Sequence, residues 1–412
     1  MTASPKTRDQ VPWGLVSLLV AAMVVSFFDR GNLAVSAPVL APELGISPWG
    51  VGVLLSAFFW TYAVGQIGAG WLVDRAEVRW VYAGGFLLWS AATLGTAFVG
   101  SFGGLLAMRL LLGIGESVTY PASSRILAAV VPEHRRGLAN SLVDLGARLG
   151  PAAGTMCGAL LVSSLGWRGL FLITGGAGLV WLVPWLISAP RVLVPAGTSK
   201  HVAGPSWGQL LRRRSFWGTC GGLCGANYAW YFLLSWLPSY LVRERHFTLT
   251  GVALWGALPY LFMAVSSLAG GVLADRWISR GGVPVRVRRG FLVVGLILTS
   301  VLLPSVLLPR VEWAVAGLFV ACLTFGIYAS NLFSLTQTLA GPEAAGRWTG
   351  LQNACGNLAG IVSPMLTGWI VTRTGGFAAA FLAASLACLL GAASFGLLVR
   401  EQERVTLRVP RP

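Results

Sequence analysis

WGLVSLLVAAMVVSFFDRGNLAVSAP, residues 13–38, is the stretch whose reading decides the fold. From Trp13 to Phe28 it carries no charge. At about 1.5 Å of helix rise per residue it reaches about 39 Å, enough to cross a hydrocarbon core of about 30 Å. The apolar run is too long for the core of a cleaved signal peptide, and Asp29 and Arg30 interrupt it, so it reads as a retained first span. A charge at membrane depth costs roughly 2.5–3.5 kcal/mol on insertion scales. Two of them side by side therefore call for a purpose.

The rest of the chain repeats the theme. Of 412 residues, 55% are hydrophobic and 11% charged, against about 25% charged in soluble domains. Long apolar runs recur from end to end, so the chain reads as an all-α polytopic membrane protein. Its formal charge of +16 comes from 30 Lys and Arg against 14 Asp and Glu. In this setting that excess reads as basic loops that fix orientation rather than as a nucleic-acid surface. The six cysteines all fall in apolar segments without metal-ligand spacing, and Cys220 with Cys224 is one helical turn of small residues. Neither a phosphate loop nor a metal cluster nor a nucleophile with a base is present, so no enzyme and no cofactor is expected.

Charged and Gly/Pro-rich punctuation divides the chain into twelve spans. The first six run over 13–38, 48–73, 79–100, 102–129, 137–163 and 168–189. The second six run over 215–242, 248–275, 289–309, 311–340, 345–372 and 377–400. The expected organisation is a tail (1–12), a six-helix bundle (13–189), a basic linker (190–214) ending LLRRRS, a second six-helix bundle (215–400) and a tail (401–412). With both termini cytoplasmic, Arg168, Arg243, Arg245, Arg310 and Arg373 fall outside, Arg30, Arg109 and Arg148 lie within spans, and every other Lys and Arg lies inside the cell, as the positive-inside rule asks. The halves also echo each other. GWLVDR (70–75) and GVLADR (271–276) end the second span of each half, and GLAN (137–140) and GLQN (350–353) open the fifth. Parallel six-helix repeats are the build of a rocking-bundle transporter with its site at the midplane.

GWLVDRAEVRW (70–80) resembles the loop motif of the major facilitator superfamily. FFDRGNLAVSAP (27–38), RLLLGIGESVTYPA (109–122), SWLPSYL (235–241) and GLQNACGNLAGIVSP (350–364) together resemble its anion:cation symporter family. The resemblance runs over nearly the whole chain. It implies a carrier of organic anions such as sugar acids, aromatic acids, tartrate or sulfonates, driven by protons.

Asp29, Arg30, Arg109, Glu116, Asp144 and Arg148 lie inside first-half spans, whereas the middles of the second-half spans carry neutral groups: Asn227, Tyr228, Ser330, Asn331, Gln337, Gln352, Asn353 and Asn357. This asymmetry suits a ligand with an anionic end and a polar end. Arg binds a carboxylate or sulfonate with forked donors, so Arg30 is the expected anchor, set against the alternative of a structural ion pair. Asp29 and Arg30, about 100° apart on a helix, cannot face one partner. Low dielectric disfavours a charged carboxylate, which suits Glu116 to carry a proton, unless it is held permanently by Arg30 or Arg109. The resemblance implies that Asp29 and Glu116 are the titrating pair and that Arg30, Tyr62, Ser330 and Asn353 bind substrate. Arg148, in LGARLGP, departs from the Gln that the family's sugar-acid carriers place near there; it is either a second anchor or a partner of Asp144 one turn away. Asp74 and Arg75, with Asp275 and Arg276, are expected to gate, as are Glu133, Arg135 and Arg136. Trp60, Trp230 and Trp236 are further candidates to line the cavity. His134, His201 and His246 fall in loops, which leaves coupling to carboxylates. The expected partners are a small organic anion, protons and membrane lipid, for a monomer in the cell's inner membrane. Proton-driven efflux of amphipathic compounds is the alternative on the same fold.

Overall fold

The computed structural model describes residues 12–73, 75–131, 133–189, 207–301, 305 and 308–401. All regular elements among them are helices: α1 (Trp13–Glu43), α2 (Pro48–Val73), α3 (Val78–Thr96), α4 (Phe102–Glu116), α5 (Thr119–Val130), α6 (Glu133–Ser188) and α7 (Trp207–Leu211). They continue as α8 (Arg214–Arg243), α9 (Leu249–Trp255), α10 (Leu258–Ser279), α11 (Pro284–Thr299), α12 (Val311–Thr374) and α13 (Ala378–Leu398). Eight described segments are long and apolar enough to cross a membrane. One of these, Leu145–Ser188, has 44 residues, about 66 Å of helix and so two crossings. The helix order accommodates the twelve expected spans.

Among the spans that differ from their expected outlines, four do so for a local reason. The fourth breaks after Glu116, because Pro121 has no N–H for the Ser117 carbonyl and its ring crowds that group. Ser117 itself still donates its N–H to Gly113 O at 3.2 Å. The eighth breaks between α9 and α10, where Pro259 follows Trp255 by one turn. The fifth and sixth form the single run α6, interrupted at Gly166, whose φ of 72° suits a residue without Cβ.

Contacts show that the chain reverses at Gly166. Before it, Gly146 meets Val20 and Met23, Gly150 meets Phe27, and Gly154 meets Phe28, so this part of α6 runs parallel to α1. After it, Thr174 meets Asn32 and Trp181 meets Leu18, which is antiparallel. A Cβ on Gly150 would lie 2.4 Å from Phe27 Cβ. That closeness is what draws α1, with Asp29 and Arg30, into the interior. Ring contacts lock α3 to the second part of α6: Phe86 stacks on Trp181 at 4.0 Å and Tyr82 lies against Trp185 at 4.7 Å.

The chain forms two compact units, Met1–Ala196 with Leu234–Ala257, and Gly197–Leu233 with Leu258–Pro412. The second unit repeats the parallel pairing of α1 on α6. Trp348 Nε1 donates to Thr219 Oγ1 at 2.9 Å, and Ser363 Oγ donates to Tyr228 O at 2.9 Å, so the later half of α12 runs alongside α8 in the same direction. The sequence echo between the halves is thus also an echo in packing.

Candidate functional site: a buried charge cluster in the first unit

Three helices supply the cluster. α1 brings Asp29 and Arg30, α4 brings Arg109 and Glu116, and α2 brings Phe58 and Tyr62. α2 lies hard on α4 at Gly113, where a Cβ would sit 2.3 Å from Phe58 O, and Thr61 Oγ1 donates to Leu110 O at 2.8 Å. That seam sets the two rings of α2 beside the end of α4.

Arg30 and Glu116 are 7% and 0% exposed. Arg30 Nε donates to Glu116 Oε2 at 2.8 Å, and Ser26 Oγ donates to the same oxygen at 2.7 Å. The guanidinium carbon lies 4.4 Å from the Phe27 ring, 4.6 Å from Tyr62 and 4.9 Å from Phe58. Phe58 and Tyr62 are themselves stacked at 5.0 Å. Each such cation–ring contact contributes about 0.5–2 kcal/mol and holds the plane of the guanidinium. The pairing is one-sided: Arg30 Nη2 and Glu116 Oε1 are buried and meet no hydrogen-bond partner among the described residues.

Asp29 faces another way, as the helical angle requires. Asn32 Nδ2 donates to Asp29 Oδ1 at 2.9 Å and also to Thr174 Oγ1 at 3.1 Å, while Asp29 Oδ2 is buried without a partner among the described residues. Arg109, also buried, donates from Nε to Leu54 O at 3.2 Å and lies 5.6 Å from the Phe58 ring. Two arginines and two carboxylates thus share one interior. With both carboxylates ionised the four groups sum to zero; with both protonated they leave two positive charges.

Asp29, Arg30, Tyr62 and Glu116 therefore come together. Ser330 and Asn353 belong to the second unit, where both are half-buried. Ser330 Oγ donates to Ile327 O at 3.1 Å and accepts from Asn331 Nδ2 at 3.1 Å. Around them the buried polar groups are neutral: Thr336 Oγ1 donates to Gln352 Oε1 at 2.7 Å, and Tyr231 OH donates to Asn357 Oδ1 at 3.0 Å. The side chains of Asp144, Arg148, Glu133, Arg135 and Arg136, and Asp74 as a whole, lie outside the described residues. Arg75 lies over the Trp71 ring at 4.3 Å, and Asp275 pairs with Arg288 at 3.0 Å at the surface. Arg276, beside Asp275, accepts at its carbonyl from Ser279 Oγ. Trp60 is exposed, Trp236 is buried, and Trp230 stacks on Phe325 at 6.3 Å.

Sequence reasoning missed Ser26, Phe27, Phe58, Asn32 and Thr174. The spacing held a signal for the first three: Ser26 and Phe27 lie one turn before Arg30, and Phe58 lies one turn before Tyr62. Thr174 carried none, because it meets Asn32 only through the reversal at Gly166.

The Major Facilitator Superfamily profile matches residues 19–364 and, in an overlapping stretch, 284–412. The chain belongs to the Major Facilitator Superfamily. Within this superfamily its relatives are carriers, not enzymes, and they are those of the anion:cation symporters. It is 29% identical to a probable galactarate/D-glucarate transporter of Escherichia coli, over 98% of this chain and 97% of that one. A probable sulfoacetate transporter of Cupriavidus necator is 30% identical, over 92% and 90%. The fold also matches a bacterial homolog of the human lysosomal transporter Spinster, with a TM-score of 0.81 at 20% identity over 98% of this chain and 100% of that one.

Proposed function

We propose that this protein is a secondary active carrier that imports a small organic anion, a carboxylate or a sulfonate, together with protons, by alternating access across the cell's inner membrane. Both termini and the gating groups Asp74, Arg75, Asp275 and Arg276 lie at the cytoplasmic face in this reading. The observation that carries it is the buried pair of Arg30 and Glu116. Arg30 is a cation whose present partner is a carboxylate, with part of its donor fork unused. A substrate anion of the same chemistry competes for it.

Protonation of Glu116 removes the charge that holds Arg30, and protonation of Asp29 removes the second negative charge. The cluster then carries net positive charge and receives the anion at Arg30, with Tyr62 bordering the guanidinium and Arg148 as a second anchor. Ser330 and Asn353 of the second unit read the polar end of the substrate. Deprotonation on the cytoplasmic side restores the pair and expels the anion. The two positive charges suit a dianion, which is the ionised form of the galactarate/D-glucarate and the sulfoacetate for which two relatives are named.

The test is uptake into vesicles with an acidic exterior and a negative interior, using labelled D-glucarate, D-galactonate and sulfoacetate in parallel. Accumulation of at least one of them, lost in Arg30→Ala, supports the reading. Accumulation of none, or uptake that survives Arg30→Ala, overturns it.

A further inference from the structure

Asn32 is fully buried, and neither the ion pair nor the aromatic enclosure accounts for it. Both of its amide hydrogens are committed: one to Asp29 Oδ1 at 2.9 Å and one to Thr174 Oγ1 at 3.1 Å. The Thr174 hydroxyl donates onward to Leu170 O at 2.9 Å, which leaves its oxygen free to accept from Asn32. The hydrogen bonds thus run in one direction, from Asn32 to Asp29 on one side and from Asn32 through Thr174 to the backbone of α6 on the other. Thr174 fixes which end of the amide meets the carboxylate.

We infer that Asn32 is the positioning residue of the Asp29 proton site, and that Thr174 holds it so that an N–H points at the ionised carboxylate. This rests on the reading of Asp29 as a titrating group. A donor to a carboxylate favours its charged form, so Asn32 sets how acidic the exterior must be before Asp29 takes up a proton. The other groups that face Asp29 are Glu116 and Arg109 from α4 and Thr93 from α3, with Arg30 its neighbour on α1. Asn32 is the one of these whose position is fixed from α6. When the acid forms, the buried Oδ1 of Asn32, which meets no partner among the described residues, is an acceptor for the new O–H after rotation of the amide. Asn serves both protonation states with one side chain, which neither Ala nor Leu does.

The test is an infrared pH titration of the purified full-length protein in liposomes, following the carboxylic-acid C=O band that Asp29→Asn removes. Loss of the donor in Asn32→Ala is expected to move the midpoint of that band to higher pH by about one unit, the scale of one charge-assisted hydrogen bond. Thr174→Val is expected to move it the same way by less, and Thr174→Ser to leave it in place. A midpoint unmoved in Asn32→Ala overturns the inference while leaving Asp29 as a titrating group. If Asp29→Asn removes no band, the titration of Asp29 itself fails, and the inference with it. Should Asn32→Ala not fold, the contrast between Thr174→Val and Thr174→Ser decides, and equal midpoints in those two overturn the inference.

Discussion

Arg30 Nε and Glu116 Oε2 stand 2.8 Å apart, and both side chains are all but closed to solvent. A buried pair of this kind gives little net stability, but removal of one partner leaves the other charge uncompensated at a cost of about 3–5 kcal/mol. In the proposed function the pair acts as a latch. Whatever neutralises one member frees the other, and the two agents that do so chemically are a proton on Glu116 and an anion at Arg30.

Glu116→Gln imitates the protonated state permanently. Anion exchange at equal pH on both sides is expected to persist, whereas accumulation driven by an acid exterior falls at least about tenfold, or ~1.4 kcal/mol. Labelled counterflow and gradient-driven uptake in the same vesicles separate the two, and simultaneous loss of both would argue that Glu116 is structural.

Arg30→Lys keeps the charge but loses the forked donors and the planar contact with Phe27, Phe58 and Tyr62. Uptake is expected to drop about as far as in Arg30→Ala. Thermal unfolding in detergent adds a sign. In Arg30→Ala the stability deficit relative to wild type belongs to the ionised Glu116, so it narrows as the pH falls and the carboxylate takes a proton. A deficit of equal size at neutral and acid pH would contradict this.

The seam between α1 and α6 offers a packing test. A Cβ at Gly150 meets Phe27 Cβ at 2.4 Å and Val24 O at 3.0 Å, whereas at Gly31, beside Arg30 on α1, nothing lies within 4 Å. Gly150→Ala is expected to destabilise by about 1–3 kcal/mol through overpacking, and Gly31→Ala to be neutral or stabilising by up to about 1 kcal/mol. Melting curves of the two variants side by side check the contrast.

Asn353, proposed to read the polar end of the substrate, offers a specificity test. Asn353→Ala should raise KM several-fold for polyhydroxylated acids such as D-glucarate and change it little for sulfoacetate, which has no hydroxyl to read. Uptake kinetics with both anions measure the split, and equal effects on the two would remove Asn353 from substrate recognition.

Much of this architecture was legible in the residues. Span positions follow from apolar length, which the bilayer imposes directly. The asymmetry of buried charge was visible because an ionisable residue inside an apolar run stands out. Pro121 and Pro259 broke two spans that hydropathy reads as continuous, because apolar length is blind to a missing N–H. The pairing of Arg30 with Glu116 stood among open alternatives, since nothing local in the sequence decides which buried arginine meets which carboxylate. That choice is made by the approach of α1 to α6 at Gly150 and of α2 to α4 at Gly113. The Asn32 to Thr174 bond was illegible for the same reason, as it depends on the chain reversing at Gly166.

The claim that Glu116 and the substrate compete for Arg30 is tested most directly by anion affinity as a function of pH, measured by calorimetry on the purified carrier with whichever labelled anion it accumulates. Wild type is predicted to bind more tightly as the pH falls, while Glu116→Gln binds tightly with a much flatter pH dependence. Affinity that is independent of pH in wild type, or a Glu116→Gln curve as steep as wild type, would contradict it.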